Sequence, residues 1–462
     1  MQVEQKVAFD SDLIKKYDKA IPRYTSYPPA TEFSTEFTEA DYREAIARNN
    51  LRQAPLSLYF HIPFCETLCY YCGCNTIITK LKEKVVPPYL KYLFTEIERV
   101  SPLIDRNRTV NQLHWGGGTP NYLNAPQVES LWNKIQEHYT FEDNAEISLE
   151  VNPEHLDKNY VLFLRSLGFN RISFGVQDFN PKVQEAINRV QPEKMLFDAM
   201  DWMRSAGFEG VNIDLIYGLP YQNLETFRET IQKVIKLNPD RIALFNFAYL
   251  PTLRPAQKKF PIESLPQPAE KLAIFQMTIE ELAKGGYLFI GMDHFAKPDD
   301  ELAIAQEKGV LHRNFQGYTT KPESELFAFG VTSVSMLHDI YVQNHKNLKE
   351  YYQAIDENRL PIARGVKLTP QDILRRDIIK ELMCNFKLKK QAIADKYNLD
   401  NFDRYFATEL EQLKTLADDG LLTLKADEIE ISPIGRLLVR NIAYTFDTHT
   451  PLRKDQRFSR SI

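Results

Sequence analysis

Six short apolar runs alternate with helix-like stretches through the middle of the chain, and this alternation limits the fold more than any other feature. The runs are "LSLYFHI" (56–62), "NQLHWGGG" (111–118), "AEISLEV" (145–151), "NRISFGV" (170–176), "GVNIDLIYG" (210–218) and "DRIALFNFAYL" (240–250). Helical patterns such as "PPYLKYLFTEIERV" and "ETFRETIQKVIKL" lie between them. Strands separated by helices pair in parallel with right-handed crossovers. The pattern predicts an α/β fold in which residues 51–260 form a partial (β/α)6 barrel.

At 462 residues the chain needs more than this one domain. Residues 1–50 read as an N-terminal arm around the irregular loop "IPRYTSYPPATEF". After about residue 260 the alternation stops, so 261–345 are assigned to a barrel extension carrying substrate-site loops. Residues 346–462 are assigned to a mainly helical C-terminal domain, in which "DGLLTLKADEIEISPIG" reads as a hairpin after helices. That layout resembles a winged helix, but Asn401 to Ile431 hold eight acidic and three basic residues, a poor match for phosphate contacts. The whole chain, at −5, gives no reason to expect a nucleic-acid partner. Its start, "MQVEQKVAFDSDLIKK", is charged and unlike a secretory signal. No run approaches the roughly 18 apolar residues of a membrane span. A cytoplasmic location is expected, and in a reducing compartment clustered cysteines point to metal or redox chemistry.

Four of the five cysteines fall in "HIPFCETLCYYCGCN": Cys65, Cys69, Cys72 and Cys74. They follow the first strand, in the loop at its C-terminal end, where parallel barrels place their chemistry. Four thiolates suit a closed zinc site, and three suit an iron–sulfur cluster with one iron open. Zinc sites usually pair two short clips far apart in sequence, whereas these ligands share one loop. Cys384, alone in "IIKELMCNF", reads as a core residue. "WGGGTP" (115–120) follows the second strand, and its glycines would let a ligand approach the backbone. Glu150, Gln177, Arg189 and Asp214 lie at or near later strand ends and converge on the same barrel mouth.

The spacing Cys-x3-Cys-x2-Cys is the signature of the radical S-adenosylmethionine (SAM) enzymes. With "PRYTSYP", "YFHIPFC", "CGCN", "LHWGGGTP", "GVQDFN", "NIDLIYGLP", "GMDHFA", "HRNFQGYTT" and the terminal "FSR", the chain resembles the oxygen-independent coproporphyrinogen III oxidases over nearly its full length. The resemblance implies a radical-SAM barrel and a [4Fe–4S] cluster on Cys65, Cys69 and Cys72. Its fourth iron would be chelated by SAM, which is cleaved to methionine and a 5′-deoxyadenosyl radical. It implies decarboxylation of two propionates of coproporphyrinogen III to vinyls, giving protoporphyrinogen IX. It also implies two SAM molecules. Tyr59, Gly117, Glu150 and Val334 match the first SAM site. Tyr71, Gly118, Thr119, Gln177, Arg189, Asp214 and Ala248 match the second. Tyr71 departs from the family's usual phenylalanine but keeps an aromatic face. No catalytic residue is assigned; His61, Arg23 and Gln316 are candidates for substrate contact, since arginine grips carboxylates in bidentate fashion. An electron donor such as a flavodoxin or ferredoxin and a monomeric state are expected. One rival is the related haem-chaperone group, which has Asp-Phe where this chain has Gly73-Cys74 and lacks the "PRYTSYP" arm. The other is a zinc-stabilised α/β binding protein.

Overall fold

The computed structural model describes residues 7–450. The described residues divide into two compact units, one of residues 33–267 and 323–367, the other of residues 7–32, 268–322 and 368–450.

The first unit is built on β1 (Leu56–Ile62), β2 (Val110–Gly117), β3 (Phe141–Val151), β4 (Arg171–Gln177), β5 (Gly210–Tyr217) and β6 (Arg241–Asn246). These six pair in parallel, each with the next in sequence. The strands correspond to the six apolar runs, because a strand covered on both faces has nearly every side chain buried. In β1 only Tyr59 is partly exposed. Four further strands extend the sheet from the β1 edge: β7 (Glu325–Phe329), parallel to β1, then β8 (Val334–Met336), β9 (Ile340–Asn344) and β10 (Ile362–Lys367), antiparallel. These strands are short, and Gly330 separates β7 from β8, so no long apolar run marks them.

The helices follow from caps and stripes. Leu224–Leu237 starts at Asn223, whose side chain accepts from Thr226 N–H in a capping box, and stops at Asn238 in the left-handed conformation. Phe227, Thr230, Ile231, Val234 and Leu237 face inward at three- and four-residue spacing. At about 1.5–3 kcal/mol for each large apolar side chain buried, this stripe outweighs propensity terms of tenths of a kcal/mol. A buried ion pair, Arg108 Nη2 to Glu325 Oε2 at 2.7 Å, ties the approach to β2 to the start of β7.

In the second unit, Ile14, Tyr17, Ile21, Tyr24 and Tyr27 are buried. The helix Pro370–Asn385 leads into a small antiparallel sheet of Lys387–Lys389, Leu422–Leu424 and Glu428–Ile431. Cys384 is buried. Arg23 is ion-paired with buried Asp293, and Gln316 turns the hairpin between His312–Asn314 and Gly317–Thr319. Burial pushes the Asp293 carboxyl up, but Arg23, His294 and Arg313 hold it well below the usual carboxylate range. No helix among the described residues is long and apolar enough to cross a membrane.

Candidate active site

A cleft of about 780 Å³ opens at the C-terminal ends of the parallel strands. The loop after β1 forms one wall. It is stapled at its base by Ile77 N–H to Pro63 O (2.7 Å) and Thr79 N–H to Cys65 O (2.9 Å). Its tip is a turn, with Cys72 N–H donating to Cys69 O at 3.1 Å. Cys65, Cys69, Cys72 and Cys74 all line the cleft. Among the described residues no three Cys, His, Asp or Glu side chains are grouped to hold a single metal ion. A cubane takes one thiolate per iron, and three soft thiols on one loop fit that donor chemistry.

The glycine turn opposes this loop. Gly117 has φ 117°, and a Cβ there would lie 2.5 Å from the His61 ring. A Cβ on Gly118 would lie 2.8 Å from the backbone of Pro63 and Phe64. Glycine is thus required so that the β1 and β2 ends can meet, a packing reason beyond the ligand approach read from sequence. Gly118 N–H donates to Ile62 O at 2.8 Å. Thr119 Oγ1 stands 3.3 Å from Cys65 Sγ.

The acidic side of the cleft is Glu150, at the end of β3. It accepts from Gly117 N–H at 3.2 Å, and His114 Nε2 lies 3.7 Å away. Burial pushes its carboxyl up, but these partners outweigh it and hold the group below its ordinary value. The basic side is Arg189. A bulge between Gly175 and Gln177, where Gln177 has φ 64°, frees Gly175 O, which accepts from Arg189 Nη2 at 3.2 Å. Arg189 Nη1 also reaches Cys69 Sγ at 3.7 Å, and Nη2 reaches Asn152 Oδ1 at 3.5 Å. Gln177 Oε1 is buried with no partner among the described residues, an acceptor left for a ligand.

The Cys65 thiol is pushed up to about 11, chiefly by burial. Cys72 is drawn down to about 6, first by its hydrogen bond with Cys74, and Cys74 is raised in turn. Burial lowers His61 to about 4, leaving a neutral ring between Tyr59 Oη (3.0 Å) and Asn75 O (3.3 Å).

Nine of the residues matched to SAM contacts line the cleft: Tyr71, Gly117, Gly118, Thr119, Glu150, Gln177, Arg189, Asp214 and Ala248. Tyr59, His61 and Val334 are not among its lining residues; Tyr59 stacks on His114 beneath the glycine turn, and Val334 opens β8. Arg23 and Gln316 belong to the other unit. Sequence reasoning missed Asn152 and Arg254. Asn152 follows β3 in "EVNPE", a strand-end signal that was available. Arg254 donates to Gly73 O from the irregular segment "LPTLRP", which carries no periodicity to flag it.

A family model described as the Radical SAM superfamily matches residues 59–234, and one described as the HemN C-terminal domain matches residues 368–438. The oxygen-independent coproporphyrinogen III oxidase of Synechocystis sp. is 58% identical over 460 residues, covering 99% of this chain and 98% of that one. The chain belongs to the oxygen-independent coproporphyrinogen III oxidases. The Escherichia coli member is 50% identical over 459 residues, covering 99% of each chain. A solved structure described as coproporphyrinogen III oxidase from Escherichia coli, a radical SAM enzyme, superposes with TM-score 0.92 at 49% identity, covering 96% of this chain and 100% of that one. Family membership implies a [4Fe–4S] cluster and SAM, and the donor set of the cleft fits both.

Proposed function

We propose that the chain converts two propionates of coproporphyrinogen III to vinyl groups without oxygen, giving protoporphyrinogen IX in haem biosynthesis. The observation that carries this reading is one cleft that gathers the thiols of Cys65, Cys69 and Cys72 with the Glu150 carboxylate, the Arg189 guanidinium and the unpartnered Gln177 amide oxygen. When bound, the [4Fe–4S] cluster and SAM would supply the 5′-deoxyadenosyl radical that takes a hydrogen β to each carboxylate, and loss of CO2 with transfer of one further electron to an external one-electron acceptor would complete each vinyl group.

The three thiolates hold the cluster, and Cys74 stays protonated beside Cys72. Two SAM molecules share the cleft. Glu150, ionised at neutral pH, accepts from the ammonium of the first, with Gly117 beside it; Tyr59 and Val334, outside the cleft lining, are assigned to the same SAM by the family resemblance alone. Arg189 grips a carboxylate of the second, with Tyr71, Gly118, Thr119, Gln177, Asp214 and Ala248 as further contacts. His61, Arg23 and Gln316 remain proposals as substrate partners. A flavodoxin or ferredoxin delivers the electron, and the protein acts as a cytoplasmic monomer. The relatives' names favour this reading over a haem chaperone.

Product analysis tests it. Anaerobic protein with reductant, SAM and coproporphyrinogen is expected to yield 5′-deoxyadenosine, methionine and protoporphyrinogen. Bound haem with no vinyl product would favour the chaperone.

A further inference from the structure

The outer side of the cluster loop carries lysines that the cleft does not use, and Arg254 at the cleft lip adjoins them. Tyr70 sits between Cys69 and Tyr71 at the tip, half-buried, with its ring packed on Phe260 at 6.1 Å. Lys259 Nζ donates to Tyr70 Oη at 3.2 Å and also lies 4.4 Å from the ring centroid. Arg254 donates to Gly73 O at the far end of the same turn. The segment from Leu250 to Phe260 therefore wraps the loop tip. It contains Arg254, Lys258 and Lys259, all exposed, and no carboxylate. Lys182 Nζ stands 4.1 Å from the ring of Tyr221, which packs on the same apolar cluster as Tyr70. Among the described residues none of these four cations is in an ion pair. Exposed Leu68, Val190 and Leu250 stand at the lip of the cleft, and exposed Leu253 precedes Arg254 in the chain. Exposed Glu185 and Glu263 lie near these residues in the chain, and Glu66 of the cluster loop is paired with Lys82 at 2.7 Å. The chain as a whole is acidic at −5, so this is a local reversal of sign.

Apolar side chains within a rim of unpaired cations fit a transient partner of opposite charge, since such rims steer encounter and set salt dependence. We propose that this face docks a small acidic one-electron carrier protein, which passes its electron to the cluster across the Cys69–Cys72 turn. The carrier is oxidised by one electron and the cluster reduced by one, with no bond or proton exchanged at the surface. The inference rests on the radical-SAM reading of the cleft.

The test uses reconstituted full-length protein, an acidic [2Fe–2S] ferredoxin and, in a second arm, a flavodoxin. Biolayer interferometry across a salt series gives binding, and stopped-flow absorbance gives the rate of cluster reduction. The variants are Lys258→Glu with Lys259→Glu, and Lys182→Glu. The double variant is expected to bind a carrier about tenfold more weakly and to lose most of the salt dependence, with a smaller loss for Lys182→Glu. Iron content and dithionite-driven 5′-deoxyadenosine formation are expected to match wild type. The proposal is overturned if neither carrier binds wild type, if binding ignores salt, or if the double variant is bound and reduced like wild type. Wild type that fails to cleave SAM with dithionite would instead sink the reading of the cleft itself.

Discussion

Arg189 Nη1 stands 3.7 Å from Cys69 Sγ, so a guanidinium placed by the β4 bulge faces a thiol 120 residues earlier in the chain. Its other acceptors, Gly175 O, Asn152 Oδ1 and Gln191 Oε1, are neutral. A cation held by neutral dipoles in a cleft keeps its charge for an anion. Arg189→Ala is therefore expected to lower product formation about 100-fold, the ~3 kcal/mol of a charge-assisted contact, with cluster iron near normal. Arg189→Lys keeps charge without the planar fork and falls between the two. Porphyrin chromatography and iron analysis on the same samples check this; undiminished turnover in the alanine variant would remove Arg189 from the site.

The four cysteines are expected to split three to one. Cys74 N–H donates to Cys72 Sγ at 3.4 Å. Within this pair Cys72 is the readily ionised partner and Cys74 the one kept protonated. Cys65, Cys69 and Cys72 carry the Cys-x3-Cys-x2-Cys spacing, so Cys65→Ser, Cys69→Ser and Cys72→Ser should each lose cluster and activity. Cys74→Ser should keep a reconstituted [4Fe–4S] cluster. Mössbauer spectra give the direct reading: one iron should change its signal when SAM is added. Four irons indifferent to SAM, or a Cys74→Ser protein without iron, would contradict the assignment.

Arg108 and Glu325 predict a stability effect away from the cleft. Both are buried and meet at 2.7 Å, while Arg108 Nε also donates to Ala54 O at 2.7 Å and Glu325 Oε1 accepts from His338 N–H at 3.1 Å. Removing one partner strands a buried charge. Glu325→Gln or Arg108→Ala is expected to cost about 3–5 kcal/mol, whereas Arg108→Met with Glu325→Leu should recover most of it. Urea unfolding of the four proteins checks this. A single variant as stable as wild type would show that the pair is not needed.

These cases also show what the chain spells out locally and what it does not. β1–β6 were legible because a doubly covered strand must be apolar along its length, and the cluster loop because its cysteines lie within ten residues. β7–β10 were less legible: three of them have five residues or fewer, and they join the sheet at the β1 edge, far from their own place in the chain. The glycine turn was visible, but its packing reason, contact with His61 and Pro63, needed the pairing of β1 with β2. Arg23 read as a cationic loop residue, yet its partner Asp293 is 270 residues away. Such pairings depend on register and chain crossing, which no local pattern encodes.

Glu96 supplies the last prediction, in the pH dependence of stability. It is buried on the helix Lys82–Val100, and among the described residues no cation is paired with it. Instead it accepts from Gly330 N–H (2.8 Å), Asn344 Nδ2 (2.6 Å) and Tyr351 Oη (2.6 Å), fixing the turn that leads to Val334. Burial raises its carboxyl to about 7, with the three donors offsetting only part of the cost. Between the ordinary value of 4.5 and about 7, the folded state holds a proton that the unfolded chain has released. Stability from this group is therefore full below about pH 4.5 and is lost as pH rises through about 7. The change is up to ~3 kcal/mol. His61, lowered to about 4 by burial, pulls the other way below its ordinary 6.5, so only a difference curve isolates Glu96. Urea unfolding at pH 5, 6, 7 and 8 of wild type and Glu96→Gln provides it. Wild-type stability minus that of the variant should fall as pH rises across this range. A difference that stays flat or rises would show that Glu96 is already ionised at pH 5 and that its three donors fully offset burial.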